Sequence, residues 1–235
     1  MNAFADTSDR WTFDRRLPLA QQVYADLRRR IVSLDLPPDR PLSRVELSQH
    51  YQISQTPLRE ALQKLGEEGL VATYPQSRTE VSRIDVAQIF EAQFLRKAVE
   101  SDIVARLAAD PRKAGLAAAE ESHERLAHSW ERDQSFEKFA EIDRQFHRDL
   151  YAAAGVTSLV EMVEKRCGQL DRIRRLHLQW FNDRKPEKVV QDHRLILDAI
   201  LGSDIEGARQ AMREHLADTI GRLEVLRANF PDYFC

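Results

Sequence analysis

Apolar positions in the first third of the chain recur with helical spacing. Val23, Leu27 and Ile31 stand at i, i+4 and i+8, with Arg28, Arg29 and Arg30 on the flanks, which predicts a helix over 19–34. The run LPPDRPL breaks that period. Ser43-Arg44-Val45-Glu46 then reads as a capping box, in which the serine hydroxyl and the glutamate three residues on satisfy the free N–H groups of a helix start. A short helix to about Tyr51 follows. Ser54 stands where it would cap the next helix, over 54–66, and Pro57 is tolerated in that first turn because its missing N–H would have no partner there. Leu58, Ala61, Leu62 and Leu65 form the apolar face, and Gly69 closes the segment. The period then falls to two: Leu70–Tyr74 and Thr79–Arg83 read as strands around a turn at Pro75-Gln76-Ser77-Arg78. Three helices followed by a hairpin outline a winged helix-turn-helix.

From Asp85 onward the pattern is helical throughout. The predicted spans are 86–109, stopped by Asp110-Pro111, then 112–132, 136–154, 157–181, 186–201 and 204–228. Ser135 and Gly155 bracket the third of these. Gly202 supplies a C-cap before a second capping box, Ser203-Asp204-Ile205-Glu206. Six such helices make an all-α bundle. The expected fold is therefore mostly α: an N-terminal tail over 1–16, a winged helix-turn-helix over 17–84 and an all-α domain over 85–235.

Composition narrows the setting. With 235 residues, 43% hydrophobic and 31% charged, the chain is globular and long enough for two cores. Its two cysteines, Cys167 and Cys235, make neither a disulfide framework nor a four-cysteine zinc site, which suits a reducing cytosol. The first residues lack the apolar run of a signal peptide, and no uncharged apolar stretch approaches the ~18 residues of a membrane span. A cytoplasmic protein without membrane partners is expected. Net charge is −3, but residues 15–83 carry 11 Lys+Arg against 8 Asp+Glu and residues 84–235 carry 23 against 27. That asymmetry has the sign expected if the first part meets phosphate.

A helix over 54–66 lying in a major groove would present the residues off its leucine face: Gln55, Thr56, Arg59 and Gln63. Glutamine reads adenine, arginine reads guanine or grips phosphate, and threonine does either more weakly. Arg44 at the preceding helix and Arg78 in the wing are further candidates for DNA contact. The segment from Ile53 to Leu65, ISQTPLREALQKL, followed by Glu68-Gly69-Leu70-Val71, resembles the recognition signature of the GntR family of bacterial transcription regulators. It departs from that signature at Gln55, where the family usually has arginine, and at Arg78, where its wing usually has glycine.

Three of the later helices turn polar groups inward. Asp143 and His147 lie one turn apart on the stripe Phe136, Phe139, Ala140, Phe146, Leu150; His193 lies on Val189, Ile196, Leu197, Ile200; His215 lies on Ala208, Met212, Leu223. Buried polar groups need partners. By spacing alone these are either core histidines with local partners or an N₃O ligand set suited to Zn²⁺, Ni²⁺ or Mn²⁺ with open positions. The region 86–228 resembles the FCD effector domain of the FadR subfamily of GntR regulators, whose metal motif matches Asp143, His147, His193 and His215. The resemblance implies a divalent metal, zinc foremost, that holds a small carboxylate effector. Arg96, on the inward stripe Ile89, Ala92, Val99, Ile103, matches the family's pocket arginine and could clamp a carboxylate; its other reading is an i, i+4 pair with Glu100. His177 faces Leu170, Ile173 and Trp180, as pocket lining or as core.

The expected function is a ligand-responsive DNA-binding regulator, a repressor of a catabolic operon acting as a homodimer on double-stranded operator DNA. The rivals are a metal-dependent hydrolase and a regulator whose metal is purely structural. An open-sited metal could activate water. The hydrolase reading lacks a general base, since Asp149, Asp192 and Glu214 fall on neighbouring helix faces expected to point away from the cluster.

Overall fold

A computed structural model describes residues 12–75, 77–112, 115–133, 135–180, 186–218 and 220–235. The chain divides into two compact units. The first runs through Gln88 and takes in Gly168–Leu176 and Val225–Cys235; the second comprises Ile89–Cys167 and His177–Glu224.

In the first unit, helices α1 (Leu19–Val32), α2 (Arg44–Tyr51) and α3 (Gln55–Glu67) precede strands β1 (Val71–Thr73) and β2 (Thr79–Val81). The strands pair antiparallel with Val71 opposite Val81 and Thr73 opposite Thr79. The apolar stripes named above meet in one core of Val23, Leu27, Ile31, Leu47, Tyr51, Leu58, Leu62 and Leu65, closed by Leu70 and Val81 and flanked by Phe13. Trp11, in the leading tail, lies outside the described residues. The buried Asp26 is compensated by the Tyr51 hydroxyl at 2.6 Å and by Arg29 and Arg30 at 2.7 and 3.0 Å. Ser43 caps α2 by accepting from the Glu46 N–H at 3.3 Å. Ser54 occupies the N-cap of α3 without a side-chain cap bond.

The same unit includes the start of one later helix and the chain's end. Arg172 is fully buried there, donating to the Ser82 carbonyl at 2.9 Å and to Gln169 at 3.0 Å. Burial lowers its pKa to about 10. Gln169 in turn donates to the Gly69 carbonyl at 2.8 Å. Ile84 forms a parallel bridge to Phe234, with its N–H on the Tyr233 carbonyl at 2.7 Å.

The remaining helices are α4 (Val86–Ala109), α5 (Leu116–Asp133), α6 (Phe136–Ala153), α7 (Ser158–Arg166), α8 (Gly168–Trp180), α9 (Pro186–Leu201), α10 (Ile205–Ala217) and α11 (Leu223–Asn229), followed by a 3₁₀ turn at Pro231–Tyr233. In the second unit α5 packs on α6 and α9, and α9 on α10. Among the described residues no helix is long and apolar enough to cross a membrane.

The architecture is mostly α, as expected, but two predicted helices are each broken in two. The span 157–181 is interrupted at Cys167, whose N–H turns back to the Glu164 carbonyl. Gly168 then starts α8, where a Cβ would come within 3.0 Å of Leu70. The span 204–228 stops at Ala217 and resumes at Leu223 after tight turns from Ile220 to Ala217 and from Leu223 to Ile220. The second capping box is displaced by one residue. Asp204, not Ser203, accepts from the Gly207 N–H at 2.9 Å, and Ser203 rather than Gly202 takes the left-handed conformation at φ 58.

Candidate DNA interface and metal centre

The first unit turns Arg44, Gln55, Thr56, Arg59, Gln63 and Arg78 to solvent. They are not equally free. Gln55 spends its amide on Ser48 at 2.7 Å and on the Arg44 carbonyl at 3.3 Å, which ties the start of α3 to α2. Gln63 donates to Glu67 at 3.1 Å. Arg78 pairs with Glu80 at 2.6 Å and lies over the Tyr74 ring at 4.8 Å from its centroid. Thr56, Arg59 and the Arg44 guanidinium have no side-chain partner among the described residues. The side chains best placed to exchange water for phosphate or base are therefore Arg44, Thr56 and Arg59.

In the second unit three helices bring Asp143 and His147 of α6, His193 of α9 and His215 of α10 together, with one ligand atom from each within 4.8 Å of all the others. The Nε2 atoms of His147 and His215 are 3.2 Å apart, and His193 Nε2 is 3.3 Å from Asp143 Oδ1. Bonds of about 2.0–2.1 Å at tetrahedral angles place neighbouring donors about 3.3 Å apart, so this spacing fits one small divalent ion. Two imidazole nitrogens facing each other gain little from hydrogen bonding unless one is protonated. A shared ion satisfies both. Phe146 stacks on His193 with ring centroids 3.8 Å apart and fixes its plane.

The electrostatics suit ligands in their binding forms. Burial lowers the His215 pKa to about 3 and lowers that of His193 as well, so both rings are neutral with a free lone pair at pH 7. Burial alone would raise the Asp143 pKa, but the close approach of His193 and the other surrounding imidazoles hold it well below the usual carboxylate range.

Two carboxylates stand behind the cluster. Glu100 Oε2 is 2.7 Å from His147 Nδ1, and Asp192 Oδ2 is 3.6 Å from His215 Nδ1. A carboxylate on the far nitrogen of a ligating histidine selects its tautomer and raises its basicity. Asp192 thus corrects the expectation that it points away from the site. Asp149 and Glu214 do point away: Asp149 is held by Ser122 and Gln145, and Glu214 by Gln210. From helical spacing Glu100 is recognisable only as a pair partner of Arg96. Its place on the inward stripe is the signal that it could do more. Asp192 adjoins His193 in sequence, about 100° round the helix, and periodicity gives it no inward face.

Arg96 is buried and does form the pair with Glu100, through Nε at 2.6 Å and Nη2 at 3.3 Å. Its Nη1 is buried without a hydrogen-bond partner. One guanidinium edge is therefore spent on Glu100 and the other atom remains a donor. His177 is buried in the same unit but is not one of the four converging ligands.

Residues 19–81 match the gntR family of bacterial regulatory proteins, and residues 88–218 match the FCD domain. An uncharacterized HTH-type transcriptional regulator in an unstable DNA locus of Streptomyces ambofaciens is 36% identical over 214 residues, covering 91% of this chain and 89% of the relative. The HTH-type transcriptional repressor RspR of Escherichia coli K12 is 30% identical, over 92% of this chain and 94% of its own. Among solved structures, E. coli McbR/YncC superposes with a TM-score of 0.72 at 23% identity, covering 91% and 99% of the two chains, a likeness of fold. This is a DNA-binding transcription regulator, not an enzyme. The chain belongs to the GntR family, with an FCD domain as its effector-binding part.

Proposed function

We propose that this regulator is a homodimeric repressor of a catabolic operon whose operator affinity is set by a small organic acid, bound through a divalent metal in the FCD domain. The winged helix of residues 17–84 reads one operator half-site, with Arg44, Thr56 and Arg59 as its free contacts, Gln55 beside them, and Gln63 and Arg78 released or reoriented on DNA. The domain over 85–235 holds the metal and the acid. Repression is supported by the relation to RspR, which is named as a repressor.

The observation that carries the sensing half is the convergence of four buried or half-buried ligand atoms from three helices, with His193 Nε2 and Asp143 Oδ1 lacking any aligned hydrogen bond. Asp143, His147, His193 and His215 would hold Zn²⁺, or Ni²⁺ or Mn²⁺ in its place. The ion would supply a Lewis-acidic anchor for a carboxylate oxygen. Arg96 Nη1 adds a charged donor from α4, and His177 is a further lining candidate. A purely structural metal predicts the same ion with no acid affinity.

The test titrates labelled operator DNA with protein loaded with Zn²⁺ and with protein stripped by chelator, each against a panel of small mono- and dicarboxylic acids. The expected result is an acid that shifts operator affinity only in the loaded protein. Arg59→Ala and Thr56→Ala should weaken operator binding without changing metal content. Loaded protein that binds no acid would leave the metal structural, and wild-type affinity in both variants would remove α3 as the reading helix.

A further inference from the structure

Gln55 is the first residue of α3, exposed beside Thr56 and one turn before Arg59. Its side chain is held in one orientation. Nε2 donates to Ser48 Oγ at 2.7 Å and to the Arg44 carbonyl at 3.3 Å, two acceptors one turn apart on α2. A carbonyl can only accept, so the edge of the amide that faces Arg44 must be its nitrogen. Both N–H groups are then spent on α2. Oε1 has no protein partner among the described residues, on a side chain that stands at the surface. The tie thus turns a group that ordinarily offers two donors and an acceptor into an acceptor alone.

We infer that Gln55 is a specificity-determining residue that meets DNA in this tied orientation, as an acceptor-only reader of an amino base in the major groove. The inference rests on α3 as the recognition helix and specifies one of its contacts. The N-terminal residues of such a helix are the ones that reach base edges. The major groove offers hydrogen-bond donors only at cytosine N4 and adenine N6, whereas guanine and thymine present lone pairs there that would repel Oε1. A free glutamine reads adenine, accepting from N6 while donating to N7. With Nε2 held by Ser48 and Arg44 the N7 half of that pair is lost, and adenine keeps no advantage over cytosine. Giving up two hydrogen bonds on α2 to gain one at N7 is a net loss, so the tie persists on DNA. A side chain already held in place also has less rotamer freedom to lose on binding. Arg59, donor-only and one turn on, grips guanine or phosphate beside it.

The experiment selects DNA duplexes from a pool with randomised half-sites. It uses full-length wild-type protein and the variants Gln55→Glu, Gln55→Arg, Ser48→Ala and Arg59→Ala, with thermal melting of each to establish that it is folded. At one position of the half-site, wild type should favour adenine and cytosine over guanine and thymine by about 5-fold or more. Gln55→Glu keeps acceptors and has no donor, so that position should hold its preference in spite of weaker binding overall. Gln55→Arg, a donor-only side chain, should turn the preference to guanine. Ser48→Ala frees one amide hydrogen and should narrow it to adenine. Adenine alone favoured by wild type, or a preference lost in Gln55→Glu, overturns the acceptor-only contact, and so does a Ser48→Ala profile equal to wild type. Base preferences unmoved by either Gln55 variant, with binding weakened by Arg59→Ala, overturn this inference and leave α3 as the reading helix. Affinity and preference unchanged in the Gln55 and Arg59 variants alike overturn the recognition-helix reading itself.

Discussion

At the scale of single residues, the candidate metal centre is a set of side chains whose burial makes sense only together. His215 in isolation is a ring driven to a pKa of about 3 by burial, against an ordinary value of 6.5, with Asp192 opposing that shift and His193 and His147 adding to it. The folded state therefore binds fewer protons than the unfolded chain between those values, so stability should fall as pH drops below about 6.5. Thermal melting of metal-free protein between pH 8 and pH 5 should show this decline, and His215→Gln should flatten it; an unchanged slope in the variant would remove His215 as its source. His193→Ala and His215→Ala should each lower metal content and melting temperature while leaving effector-free operator binding largely intact. Glu100→Gln keeps all four ligands yet should weaken metal binding by about 10–100-fold, because it removes the carboxylate behind His147. Chelator competition measures that directly, and a wild-type affinity would reduce Glu100 to the partner of Arg96.

At the scale of elements, helix ends and glycines decide where the site residues stand. Ser43 starts α2 with a side-chain cap, and Ser43→Ala should cost about 0.5–2 kcal/mol of stability, measured by denaturant unfolding. Gly69 sits between α3 and β1 at φ 70, and a Cβ there would come within 2.5 Å of the Gln88 side chain. Gly69→Ala should therefore destabilise by more than about 1 kcal/mol and disturb the wing that carries Arg78. By contrast Gly155, also at positive φ, has open space where a Cβ would stand, with nothing within 4 Å, so Gly155→Asn should be tolerated with a far smaller loss.

At the scale of the whole molecule, the proposed acid and the operator would be two ligands of one chain, and their effects on each other would then have to be reciprocal. An acid that weakens operator binding by a given factor is itself bound more weakly by that factor when the operator is present. Such couplings are typically about 5–150-fold, so calorimetric titration of the acid into metal-loaded protein, with and without saturating operator, should return the same ratio as the operator titrations. Unequal ratios would show that the acid acts on an additional equilibrium, such as dimer assembly.

Local periodicity and short-range chemistry make legible the three helices and hairpin of the winged helix, the exposed face of α3, and the four inward polar residues at Asp143, His147, His193 and His215. Each of those is readable because an apolar stripe of period 3.6 or 2 says which way its neighbours point. Tertiary structure alone decided what depends on the neighbours a face meets. At Gly168, beside the break, a Cβ would come within 3.0 Å of Leu70, and Arg172 lies inside an apolar pattern that gives no hint of its bond to the Ser82 carbonyl. Asp192 reaches His215 because its face is turned toward α10, although its position beside His193 in sequence assigns it elsewhere. Arg96 forms the pair with Glu100 along one edge, and its Nη1 is left without a hydrogen-bond partner. Helical period specifies a direction from the axis; only packing specifies what stands there.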